Sequence, residues 1–298
     1  MKFGIFIYKP ETVEGFDLQF YRLKSERGIV GTPSEKMYTN IACFGDNNIA
    51  GQRPDWVSMS KDGPALRTNK KYNFRWDIVC PTNKEFVAYM LDLIEDAAEK
   101  SKGVSLSSMH FADHGFCTDQ RCRVAHEKSG LDWFEWRKQI VTDFVKSAKD
   151  RVKNRFFVGL LPDPVMSYQR FGIDFDALAE YAEAFVVPHF SKSYATPWYF
   201  ETLARAFKNI LKKPVYVNLY VHGPGDNPNE VPKAEDLLKT AVRVARTGVD
   251  GIIFLTENAE RIKAFQKAAV ENVKLREELE DYGGKPVLDL IDKWETIV

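Results

Sequence analysis

GVSLSSMHFADHGFCTDQRC, residues 103–122, divides into two halves of different chemistry. Residues 103–111 are small, apolar or neutral up to His110, and predict a short buried β-strand. The rest predicts a polar loop carrying Asp113, His114, Cys117, Asp119 and Cys122 just beyond His110. Two of the chain's five histidines and two of its four cysteines fall in this stretch. In a barrel of alternating strands and helices, side chains just past a strand's C-terminal end face the mouth. Chemistry is therefore expected here first.

Outward from this stretch the chain alternates. Strands are predicted at 2–8, 40–45, 74–80 and 103–111, and again at 155–161, 184–189, 214–221 and 250–255. Residues 16–25 predict a short helix. A helix opens on a capping box, Thr82-Asn83-Lys84-Glu85, in which hydroxyl and carboxylate each satisfy a free amide. Phe86, Val87, Met90, Leu91 and Ile94 then recur at helical spacing. Asp132 and Glu135 open the next helix in the same way. Further helices are predicted near 175–182, after Thr196-Pro197, at 233–246 ending at Gly248, and at 259–280. Eight strands alternating with helices predict a single (β/α)8 TIM barrel over residues 1–280. Residues 281–298 are expected to form a C-terminal helical appendage, with Trp294 docked on the barrel. An open doubly wound sheet is the alternative, but the first strand is followed by no Gly-rich fingerprint.

Composition narrows the functions. Lys+Arg and Asp+Glu number 42 each, so the net charge is zero. No cationic excess points to a polyanion, and a nucleic-acid partner is not expected. The first residues form too short an apolar run for a signal peptide, and no run of 18 apolar residues exists. The expectation is a cytoplasmic protein with no membrane partner. Four cysteines are too few for a disulfide scaffold at 298 residues. Cys117 and Cys122 are close enough in sequence to form a loop disulfide, share a metal or stay as free thiols.

Under the barrel reading the polar residues gather at one rim. Asp77 and Cys80 close the predicted third strand, and His110, Asp113 and His114 follow the fourth. Asp163 follows the fifth; His189 ends the sixth, with Tyr194 beyond it. Tyr220 and His222 end the seventh, and Glu257 the eighth. Carboxylates there suit general acid and base work, and glycoside hydrolysis needs two. Asp113, Asp163 and Glu257 are the candidates for catalysis. Burial would raise the pKa of Asp113, as an acid requires; a protonated neighbouring histidine would lower it. Asp77, His110, His114, His189, Tyr194, Trp198, Tyr220 and His222 are the candidates for substrate binding, the aromatics by stacking on sugar rings. A Pro-Asp-Pro turn and a helix N-terminus would each account for Asp163 and Glu257 without catalysis.

Residues 54–151 carry a set of motifs: Pro54-Asp55-Trp56, Asp62-Gly63, the run from Val79 to Glu85, the strand ending at His110, Phe116-Cys117 with Cys122, and Trp133 with Trp136-Arg137. Together they resemble a glycosyl-hydrolase-like TIM-barrel family of hypothetical glycosidases with a Phe-Cys-x-x-Cys loop after strand four. The resemblance spans about a third of the chain. It implies a barrel that binds or cleaves carbohydrate. Three departures stand out: the family's strand-four acid falls on Ser107, its arginine on His110, and its strand-three Asn/Asp on Cys80. The second loop cysteine is displaced to give Cys-x4-Cys. The family's strand-four carboxylate therefore does not carry over.

Three functions remain open on the sequence. The first is a glycoside hydrolase or other carbohydrate-active barrel, without cofactor or metal, taking a small-molecule or oligosaccharide ligand. The second is a metal-dependent hydrolase or isomerase using His110, His114, His189 and His222, with Asp113 or Glu257, as ligands. The third is a barrel that binds sugar without catalysis. The start, Met-Lys-Phe-Gly-Ile-Phe-Ile, resembles luciferase-like flavin barrels, with nothing downstream in support.

Overall fold

The computed structural model describes residues 1–189, 191, 193–227 and 231–298. Among them eight parallel strands close a ring: β1 (Lys2–Ile7), β2 (Leu18–Ser25), β3 (Tyr38–Ala42), β4 (Gly103–Ser107), β5 (Arg155–Gly159), β6 (Ala184–His189), β7 (Val215–Tyr220) and β8 (Gly251–Leu255). Each pairs with the next, and β1 pairs with β8 through Lys2↔Gly251 to Phe6↔Leu255. That closure rules out the open sheet and makes the chain a (β/α)8 barrel.

The strand count was right for a reason that cancels. Residues 16–25, expected as helix, contain β2; its Leu18, Phe20 and Arg22 follow the period of two that fills a lumen. Two charges, Arg22 and Lys24, hid that alternation in the sequence. Residues 74–80, expected as the third strand, form no strand. Their amides are consumed elsewhere: Asp77 donates to the Asn47 side chain at 2.8 Å, Ile78 to Ala65, Val79 to Phe44 and Cys80 to Trp56. Two helices also differ from expectation in where they start or stop. The helix Lys84–Glu99 is capped by Asn83, whose Oδ1 accepts from Phe86 N at 2.9 Å, so Thr82 is not its cap. Residues 259–280 form two helices, Ala259–Val270 and Val273–Asp281, because Asn272 caps a new start at Leu275 N.

Phe6, Phe20, Phe157, Val186, Tyr216 and Ile253 pack the lumen, and the alternate side chains face the helices. A bulge in β2 breaks this alternation. Arg22 pairs with Asn40 but Lys24 pairs with Ile41, so one extra residue turns Lys24 outward. There its ammonium meets the Asp46 carboxylate at 2.9 Å, and both side chains are buried. The same ammonium donates to the Ala42 carbonyl at 2.6 Å. A buried charge is tolerated only when paired in this way. The helix Lys285–Glu295 buries Trp294 against Phe16, Phe254 and Phe265. No helix among the described residues is long and apolar enough to cross a membrane.

Candidate active site at the barrel mouth

A cavity of about 500 Å³ opens at the C-terminal ends of the strands. β1 and β2 deliver Tyr8, Arg22, Glu26 and Arg27 to it; β4 delivers Ser107 and Ser108; β7 and its loop deliver Tyr220 and Asp226. Its two carboxylates, Glu26 and Asp226, come from strands three steps apart around the ring. Asp226 accepts from the Tyr220 phenol at 2.7 Å and from Gly223 N at 2.8 Å. Glu26 lies 3.4 Å from Arg22 Nη1. Tyr8 lines the same cavity, and its phenol pKa is raised by burial, lowered by Arg22, and raised by both Glu26 and Asp226. The net shift is upward, so Tyr8 keeps its proton at neutral pH. Burial, reinforced by Asp226, likewise raises the pKa of Tyr220.

The frame that holds Glu26 follows from β3. Beyond its end, Cys43 N and Phe44 N donate to Ser107 O and Ser108 O, extending the pairing with β4. Asp46 then caps the helix Asn47–Gln52 and holds Lys24, while Asn47 N donates to Glu26 O at 2.6 Å. A Cβ at Gly45 would lie 2.8 Å from Trp76 Cδ1 and 3.3 Å from Glu26 Cγ. Glycine there lets the indole and the glutamate sit side by side. Trp76, half-buried, forms part of the cavity wall as an apolar platform.

The expected site residues divide. Tyr220 lines the mouth cavity. Glu257 is half-buried beside it, 3.4 Å from Nδ1 of the buried His222. Tyr194 is buried, donating its hydroxyl to Tyr220 O at 2.7 Å and stacking on Phe200. His189 packs on Phe200 and lines a neighbouring cavity of about 430 Å³. Trp198 is 60% exposed and packs edge-on against Tyr199. Asp77 is buried and bound to Arg67, accepting from its amide at 2.7 Å.

Asp113, His110 and His114 occupy a third cavity of about 240 Å³ with Arg170. Arg170 binds two of the expected acids: Nη1 lies 2.6 Å from Asp163 Oδ2, and Nε lies 3.1 Å from Asp113 Oδ2. Asp163 also accepts from Val165 N and Met166 N, as a turn acid does. Burial alone would raise the pKa of both; for Asp113 Arg170 reverses it, and for Asp163 the amides and Arg170 do, leaving both lowered. The helix Trp133–Arg151 supplies the support, since Arg137 is buried and donates to Gln169 O and Arg170 O, each at 2.7 Å. His110 is also buried, which lowers its pKa to about 4. Its Nδ1 lies 2.7 Å from Phe111 O, so the neutral ring carries its hydrogen there. His114 stacks on Tyr72 and sits at φ 64°.

His110, His114, His189 and His222 do not converge as metal ligands; among the described residues the group assembled for an ion is Cys80, Cys117 and Cys122. Cys117 and Cys122 are free, so the loop disulfide is not formed.

Glu26 and Asp226, with Tyr8, Arg22 and Trp76, were not among the residues singled out in the sequence. Glu26 follows a strand that reads as helix. Asp226 sits in Gly223-Pro224-Gly225-Asp226, which reads as a turn. The usable signal was its position six residues beyond Tyr220, in the loop after the seventh strand.

In its architecture the chain is similar to glycoside-hydrolase barrels. It superimposes on α-L-fucosidase isoenzyme 2 from Paenibacillus thiaminolyticus with a TM-score of 0.63 at 12% identity, over 91% of this chain and 49% of that one. An α-galactosidase from Thermus thermophilus matches with a TM-score of 0.40 at 11% identity, over 84% of this chain and 55% of that one. The chain thus spans about half the length of these enzymes. No family model matches it, and no curated protein matches it in sequence.

Proposed function

We propose that this barrel is a glycoside hydrolase whose reaction takes place in the mouth cavity. Likeness of fold does not by itself assign a function. The observation that carries the reading is the pair Glu26 and Asp226, which line one cavity from strands three steps apart around the ring, with the aromatic Trp76 lining it too. Two carboxylates flanking a sugar are what glycosidic cleavage requires, one to transfer a proton to the leaving oxygen and one to attack or to activate water. Asp226 takes the anionic role, because the Tyr220 phenol and the Gly223 amide compensate its charge. Glu26 takes the proton-transfer role. Trp76 stacks on the ring, while Tyr8 and Tyr220 donate to hydroxyls. Arg22, Arg27 and Arg75 border the same cavity, which favours a sugar bearing a carboxylate or other anionic group. Asp113 and Asp163 serve Arg170 and shape the adjoining wall.

The resemblance to the hypothetical glycosidases with a Phe-Cys loop points the same way, with catalysis moved off strand four, where Ser107 stands. The cytoplasm is the compartment we assign, since free thiols persist where the medium is reducing. The test is hydrolysis of a panel of aryl glycosides, neutral sugars and uronides side by side, by wild type, Glu26→Gln and Asp226→Asn. Cleavage of at least one uronide, lost in both variants, is expected. Wild type inert on the whole panel while still binding sugars would leave a sugar-binding barrel instead.

A further inference from the structure

A second constellation lies behind the mouth. Cys80, Cys117 and Cys122 come from two separate segments, and each is fully buried. Their sulfurs all lie within 4.8 Å of one another, with Cys80 Sγ 3.4 Å from Cys122 Sγ. None is in a disulfide. We propose that these three cysteines bind one zinc ion as thiolates.

The local structure is built around the sulfurs. Asp119 caps the helix Gln120–Ser129 and accepts from Cys122 N at 2.7 Å, which fixes Cys122 in the first turn. Met59 N donates to Cys117 Sγ at 3.1 Å. Such a bond stabilises a thiolate, and a second shell of this kind orients metal ligands. Thr82 Oγ1 lies 3.2 Å from Cys80 Sγ and 3.2 Å from Cys122 Sγ. It leaves the fourth position to its own hydroxyl or to a water. Arg121 lies within electrostatic range of all three sulfurs, and its buried Nε has no hydrogen-bond partner. A divalent ion with three thiolates carries one negative charge, and Arg121, whose Nη2 pairs with Asp119 Oδ2 at 2.9 Å, faces it.

Size selects the ion. Thiolates at about 2.3 Å from a tetrahedral zinc are about 3.8 Å apart. The observed spacing matches one ion, whereas an iron–sulfur cluster interposes several atoms between its cysteines. The role follows from the chain path. The ion joins the segment that carries Trp76 and Cys80 to the loop that carries Asp113, His114 and Cys117. It braces two walls of the mouth. Cys43, the fourth cysteine, lies outside the group.

The experiment uses the full chain, free of any histidine tag and grown in zinc-supplemented medium. Elemental analysis should find one zinc per chain, released by a mercurial and retained in Cys43→Ala. Cys122→Ser should lose most of it. In case that variant fails to fold, wild type is stripped under reducing conditions and refilled with cobalt(II). Intense sulfur-to-cobalt charge-transfer bands with tetrahedral d–d absorption are expected. A cobalt spectrum no different from the aquo ion would overturn the proposal. So would reduced protein that takes up no zinc, a stoichiometric metal other than zinc, or an intact mass showing a Cys80–Cys122 disulfide. None of these readouts depends on glycosidase activity.

Discussion

The Tyr220 phenol donates to the Asp226 carboxylate at 2.7 Å at the barrel mouth. The bond links the end of β7 to the loop that follows it and fixes the carboxylate in direction as well as in charge. A hydrogen bond to a charged group contributes about 1.5–3 kcal/mol. Tyr220→Phe should therefore lower kcat/KM roughly ten- to hundredfold. Asp226→Asn should cost about 10²–10⁴-fold, the range of a positioned proton-transfer or nucleophilic group. Steady-state kinetics on the best aryl glycoside decides it: equal, small losses in both would remove Asp226 from the reaction.

Gly45 tests the geometry without replacing a reacting group. Its φ is not in the left-handed region, so alanine is not strained in the backbone. The added methyl would press on Trp76 Cδ1 at 2.8 Å and Glu26 Cγ at 3.3 Å. A displacement of about 1 Å at a catalytic group can cost about a hundredfold. Gly45→Ala should retain its melting temperature within a few degrees and lose at least about tenfold in kcat/KM. Unchanged kinetics would separate Trp76 and Glu26 from the catalytic geometry.

Asp113 is the acid the sequence favours, and in the structure it pairs with Arg170. Its pKa is lowered, since Arg170 outweighs the effect of burial. At neutral pH it is ionised and has no proton to give. Asp113→Asn should keep activity within about tenfold, below the usual contribution of a general acid. Arg170 would then hold Asp163 alone, and thermal stability should fall. A loss of a thousandfold with stability intact would return the proton-donor role to Asp113.

How much of this was legible depends on which residues bury charge. The regular second half, with apolar strands ending at Leu161, His189, Val221 and Leu255, announced the barrel by itself. β2 did not, because Lys24 breaks its alternation, and only the pairing with Asp46 22 residues later explains why a lysine is buried there. The segment ending at Cys80 has strand-like composition, yet its amides are spoken for by Asn47, Ala65 and Phe44. Such tertiary commitments leave no local trace. The same limit applies to the mouth. Carboxylates near histidines drew attention to Asp113 and Asp163, but nothing local in the sequence marks the Arg170 contact that occupies both.

The last prediction concerns pH. Burial lowers His110 and His189 from 6.5 to about 4. Between pH 4 and 6.5 the unfolded chain binds protons at both positions that the native state refuses. Stability from these two rings is thus fully present above pH 6.5 and is lost as the pH falls toward 4. With two protons involved, the slope in mid-window reaches about 2.7 kcal/mol per pH unit. Carboxylates with lowered pKa, such as Asp113 and Asp163, act in the same direction but below their ordinary value of 3.8, so they leave this window to the histidines. Urea unfolding at pH 5 and pH 7 measures the slope. His189→Leu should make it shallower by about one proton, or about 1.4 kcal/mol per unit. An unaltered slope in that variant would mean that His189 is protonated, or reaches solvent, in the folded protein.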